Sequence, residues 1–229
     1  MNPLDMLVSG ASSTGTKHAL ARLILRRLAA VALSASILGI GTVAVFPQVA
    51  AAAVAPPADL QNIKEAVLSQ VGYGPCPGVG IAASGYTLGN YATCKNGKST
   101  GIQWCAVFAG WAWNQGGADV VSLTYTVSSF DTYGKNHGTK ETSASYVPTI
   151  GDAVVFKDPV NGKLVHVAIV DYTSGSTVWA INGNLNNMVM ASSFPMAVGK
   201  STHTTSGTGM TDEYGNYMVV AEYIRPAVL

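Results

Sequence analysis

A run of 19 residues without a charge, Leu28 to Phe46, divides this 229-residue chain into two parts of different character. Arg26-Arg27 stand before it, Pro47 follows it, and Ala50 to Ala53 supply small residues for a signal-peptidase site. A positive flank, an apolar core and an A-x-A exit are the parts of an export signal, with cleavage expected after about residue 52 or 53. The run is longer than the roughly 7–15 residues of a standard signal core, and about 20 apolar residues span a bilayer. A retained membrane anchor is therefore the alternative, and either way the remainder lies outside the cytoplasm. Residues 1–53 are assigned to export, 54–59 (with Pro56-Pro57) to a short linker, and 60–229 to one domain.

The charge balance changes once the first part is set aside. Four of the 13 Lys and Arg and one of the 12 Asp and Glu lie before residue 50, leaving 9 basic against 11 acidic groups. The body carries a single Arg, Arg225. Phosphate binding needs clustered basic side chains, so nucleic acid is excluded as a partner. Val, Ile, Tyr and Trp are abundant enough to build a core, which excludes a disordered chain.

Leu60, Ile63, Val67 and Val71 recur at helical spacing, and Gly72 closes that segment. About 30 residues of Gly-, Pro- and Asn-rich loop follow. Trp104 to Trp113 reads W-C-A-V-F-A-G-W-A-W, apolar on every side, the mark of a buried helix that Gly116-Gly117 end. Strands are expected over Ala153–Phe156, Leu164–Tyr172, Thr177–Asn182 and Tyr217–Ile224. Residues 120–147 and 191–216 read as polar connections. Helices followed by an antiparallel sheet make an α+β domain.

The chain has three cysteines, Cys76, Cys94 and Cys105, an odd number for an exported protein. Cys76 and Cys94 sit in loop sequence, where a disulfide between them would stabilise the domain by about 3 kcal/mol. Cys105 is left over, at the first turn of the buried helix. Unpaired N–H groups and the helix dipole there favour a thiolate, so a lowered thiol pKa is expected. A nucleophile needs a base, and the histidines are His18, His137, His166 and His203. His166 opens the strand V-H-V-A-I-V, whereas His137 and His203 lie in polar loops.

Thr173-Ser174-Gly175 fits a three-residue hairpin turn that sets Tyr172 against Ser176 and His166 directly opposite Asn182. The Asn182 oxygen then accepts from one imidazole nitrogen and fixes the tautomer that offers the other to the thiol. Asn184 follows on the same face, and Gln103 lies close enough to the helix start to serve an oxyanion. Each residue also has a plainer reading: Cys105 as core, His166 as a structural strand histidine, Asn182 as part of a turn. No metal set is visible, and no cofactor is called for.

Trp104-Cys105-Ala106-x-Phe108, Pro148-x-x-Gly151-Asp152, His166-Val167-Ala168-Ile169-Val170 and Ile181-Asn182-Gly183-Asn184, in this order, resemble the motifs of CHAP domains. These are cysteine- and histidine-dependent amidohydrolase/peptidases. The likeness extends from the leading helix to Tyr223-Ile224-Arg225-Pro226. It implies a papain-like α+β fold with N-terminal helices on an antiparallel sheet and cleavage of peptidoglycan amide bonds; a secreted protein associated with the cell wall is expected, with a monomer as the expected state. Cys105 corresponds to the nucleophile, His166 to the base and Asn182 to the third member, a position the family often fills with Glu. The rival readings are an NlpC-type peptidase and a non-catalytic wall-binding module on the same fold.

Overall fold

A computed structural model describes residues 53–75, 93–95, 103–203, 210–212 and 214–228. The chain divides into two units, Met1–Gln48 and Val49–Leu229, and the described residues belong to the second. The export segment lies outside the described residues up to Ala53, as do Cys76 and therefore the expected disulfide. No helix among the described residues is long and apolar enough to cross a membrane.

The segment read as a linker carries folded backbone. Strand β1 (Ala53–Val54) pairs antiparallel with the last strand, β10 (Ala227–Val228), and the Ala55 N–H donates to the Pro226 carbonyl at 2.9 Å. Helix α1 (Pro57–Ser69) then begins three residues earlier than the apolar spacing indicates. The reason is local. Proline is favoured at the first helical position because its missing N–H would have no partner there, and its φ is already helical. Ile63 and Val67 are fully buried against the rest of the core, while Val71 lies beyond the helix and is exposed.

Two short strands, β2 (Tyr73–Pro75) and β3 (Thr93–Lys95), pair antiparallel within the sequence read as loop, with the Cys94 backbone opposite Gly74. Helix α2 (Cys105–Gln115) is buried on nearly every side, as its composition requires. It lies close to α1: a Cβ on Gly116 would stand 2.3 Å from Ile63 Cγ1 and 2.7 Å from the Asp59 carbonyl, so only glycine fits. A third helix, α3 (Ser128–His137), occupies the segment read as a polar connection. Its apolar stripe is only Phe130 and Tyr133, both of which pack on Trp113 with ring centroids 5.1 Å away.

Strands β4 (Lys140–Glu141), β5 (Ala153–Lys157), β6 (Leu164–Ser174), β7 (Thr177–Leu185), β8 (Met188–Pro195) and β9 (Val219–Ile224) form one sheet in the order β4-β9-β5-β6-β7-β8. All its pairings are antiparallel. With helices packed against it, the fold is α+β. β8 falls largely in another segment read as connection. It is delivered by the turn Asn186-Asn187, whose φ values of 52° and 60° fit the left-handed pair of a tight hairpin turn.

The sheet is buried on both faces. Val155, Val167, Ile169 and Ile181 face the helices. Val154, Phe156, Ala168, Val170, Phe194 and Met210 form a second cluster on the other side. This double burial explains why β6 reads as a continuous apolar run instead of alternating.

The register of the β6–β7 hairpin differs from the expected one. Its turn has two residues, Gly175 and Ser176, with Ser174 opposite Thr177 and Gly175 at φ 57°. An irregularity between Val170 and Tyr172 then moves the pairing by one, so that Asn182 stands opposite Ala168 rather than His166. The net displacement from the expected register is two residues. Side chains alternate with period two, so His166 and Asn182 still share a face.

Candidate active site

His166 and Asn182 are brought together. His166 sits diagonally across the β6–β7 pair from Asn182, and its Nε2 lies 3.0 Å from Asn182 Oδ1. Asn182 is completely buried, and its Nδ2 donates to Ser192 Oγ at 2.8 Å, the Met190 carbonyl at 3.1 Å and the Ala180 carbonyl at 3.3 Å. With three acceptors around Nδ2, the oxygen is the atom turned to the ring. His166 Nε2 therefore carries the proton, and Nδ1 keeps its lone pair. Burial pushes the imidazole pKa down to about 4, against which the Asn182 bond acts weakly in the opposite direction. The ring is neutral at pH 7.

Cys105 opens α2 as expected, with Trp104 at the cap position. Its expected low thiol pKa is not found. Burial pushes the thiol up to about 11, although the N–H groups of Val167, Ala106 and Cys105 itself favour the thiolate. The helix-end effect is worth at most about 2 kcal/mol, and a fully buried charge costs more than that. Cys105 is a neutral thiol at pH 7.

The structure does not join these two groups by a hydrogen bond. Phe156 is paired with His166 and their rings lie 5.8 Å apart, on the face that holds the second cluster. Cys105 packs with Val155 and Val167 on the helix face. Val167, the residue after His166, is the nearer link: its backbone N–H is among the groups that favour the Cys105 thiolate.

Asn184 and Gln103 form a second pair. Asn184 Nδ2 donates to Gln103 Oε1 at 2.7 Å, which leaves the Gln103 NH2 group available two residues before Cys105. Asn184 has φ 60°, a left-handed conformation, and its buried Oδ1 has no hydrogen-bond partner. β7 approaches α2 closely here, since a Cβ on the preceding Gly183 would stand 2.4 Å from Phe108 Cβ. No group of three or more His, Cys, Asp or Glu among the described residues is placed to hold a metal ion.

Ser192, Met190 and Met210 complete the surroundings of Asn182, and the sequence reading missed them. The Asn-Asn turn ahead of β8 was the available signal. Asp152, noted only as part of a motif, fixes the turn before β5. It accepts from Tyr146 Oη and the Thr149 N–H, both at 2.8 Å, and burial pushes its pKa up to about 6.

No family model and no curated protein matches the sequence. Among solved structures the chain is similar to Ly7917, at 18% identity and a TM-score of 0.37 over 73% of this chain and 62% of that one. Ly7917 with the hydrolysing product of MDP gives 15% identity and a TM-score of 0.39, over 73% and 63%. A Staphylococcus aureus protein described as similar to a lipoprotein of the NLP/P60 family gives 18% and 0.33, over 62% and 43%. The chain thus spans less than two thirds of the length of each of these structures.

Proposed function

We propose that this protein is an exported, cysteine-dependent amidohydrolase/peptidase of the CHAP type that cleaves amide bonds of peptidoglycan. The observation that carries the reading is the His166–Asn182 bond, which leaves the Nδ1 lone pair free on the residue next to Val167, whose N–H favours the Cys105 thiolate. The ordered Cys, His and Asn motifs support it.

Cys105 attacks the amide carbonyl as its proton passes to His166 Nδ1. His166 then protonates the leaving amine, and water hydrolyses the thioester with His166 as base. Because both groups start neutral, the proton moves during attack rather than before it. Sulfur and ring lie on opposite faces of β6 in the resting protein, so this transfer requires the start of β6 to turn His166 toward the helix face. The Cys105 N–H at the helix start and the Gln103 amide, held from behind by Asn184, are the donors for the oxyanion.

Dye release from purified cell walls tests this reading, with Cys105→Ala expected to abolish release. Full activity of a folded Cys105→Ala protein would overturn it. Mass spectrometry of the released muropeptides separates N-acetylmuramoyl-L-alanine amidase from cross-bridge endopeptidase. The raised thiol pKa and the missing thiol–imidazole bond favour a second reading, a non-catalytic wall-binding module. It is distinguished by wall binding without release in the wild type.

A further inference from the structure

The inference rests on the proposal that His166 is the base. A carboxamide places an acceptor and an NH2 group at nearly equivalent positions, and a half-turn about its last bond exchanges them. Two of the acceptors that hold Asn182 the right way round are strand carbonyls of Ala180 and Met190. The third bond is the shortest, 2.8 Å to Ser192 Oγ.

That hydroxyl is itself directed. Ser192 Oγ donates to the Met210 sulfur at 3.2 Å, so its lone pairs are left for Asn182. Met210 is almost fully buried, and its backbone is held by Thr202, whose Oγ1 donates to the Met210 carbonyl at 2.7 Å. The Thr202 N–H in turn donates to the Met218 carbonyl at 2.7 Å.

The geometry points to Ser192 as a positioning residue for the reaction. It is a link in a donor chain running His166 to Asn182 to Ser192 to Met210, every link in one sense, with Ser192 half-buried between the buried Asn182 and Met210. The chain holds the imidazole as the Nε2–H tautomer with Nδ1 unprotonated. An unbroken direction matters at Asn182, which is fully buried, because reversing its amide would set its oxygen against the acceptors around it.

The ring 15N shifts of His166, measured on the purified protein at neutral pH, report the tautomer without any substrate. The wild type should show Nε2–H alone. Ser192→Ala should give a mixture of tautomers and a kcat about tenfold lower with KM unchanged, a loss a single misdirected hydrogen bond can produce. Ser192→Thr, which keeps the hydroxyl, should restore both. Met210→Leu keeps the bonds to Asn182 but frees the hydroxyl proton, and should fall between, with partial mixing of tautomers. It carries the test if Ser192→Ala does not fold. A pure Nε2–H tautomer with wild-type kcat in the folded Ser192→Ala protein, or failing that in Met210→Leu, would overturn the inference. Failure of the hydrolytic reading looks different: no release from walls by a wild type whose ring spectrum is still the single tautomer.

Discussion

The two faces of strand β6 treat their functional groups in opposite ways. On the helix face Cys105 is packed among Val155, Val167 and Phe108 with only backbone N–H groups directed at its sulfur, and burial dominates its chemistry. On the other face His166 is equally dry, but Asn182 and Ser192 fix which of its nitrogens carries a proton. Burial alone keeps a group neutral. A polar chain decides where a neutral group can accept a proton. On the proposed mechanism the nucleophile is therefore stored in an inactive form and the base in an active one.

Asn182→Ala breaks this contrast most strongly. With the ring free to change tautomer, turnover should fall by about 10²–10⁴-fold. If Asn182 serves only the fold, the melting temperature changes while turnover per folded molecule stays at the wild-type level.

The pH dependence of stability is the next largest effect. His166 has a folded pKa near 4, below the ordinary value of 6.5. Between these values the unfolded chain binds more protons, so stability is complete above about pH 6.5 and is lost as pH falls through 4. The loss amounts to about 3 kcal/mol. Asp152 works in the reverse sense, its folded pKa of about 6 lying above the ordinary value of 3.8. Its contribution is present below that value and lost as pH rises through 6. Denaturant titrations of wild type and His166→Gln from pH 7 to pH 4 isolate the histidine. Parallel curves would contradict a buried neutral ring.

Gly183→Ala is the smallest test and acts on the helix face. The added methyl meets Phe108, and overpacking of this kind costs about 1–3 kcal/mol. Thermal unfolding should show a lower midpoint, and an unchanged midpoint would mean that α2 does not press on β7 as described.

How much of this could be read beforehand follows from where each signal resides. Helix α2 was legible because a segment apolar on every side has few places to go other than the core. The pairing of His166 with Asn182 was legible although the register was not. The hairpin turn was assigned one residue too long and the irregularity near Asp171 is silent in sequence. Their combined displacement was an even number of residues, which preserves the face. Helix α3 stayed hidden because two aromatics make too short a stripe, and β8 because its alternation is broken by Ala191, Ser192 and Ser193. The thiol pKa was missed for a different reason: a helix start is visible in sequence, but the burial that outweighs it is a property of the packed fold.

The central claim is that Cys105 forms a covalent acyl intermediate on a peptidoglycan amide. It is tested most directly by acid-quenching the protein during turnover of purified muropeptides and mapping the adduct by mass spectrometry. The account expects a thioester on the peptide containing Cys105, absent from Cys105→Ala and accumulating when the His166-assisted hydrolysis is slowed by Asn182→Ala. Steady release of product by the wild type, with Cys105 recovered unmodified at every quench time and with Cys105→Ala equally active, would contradict it.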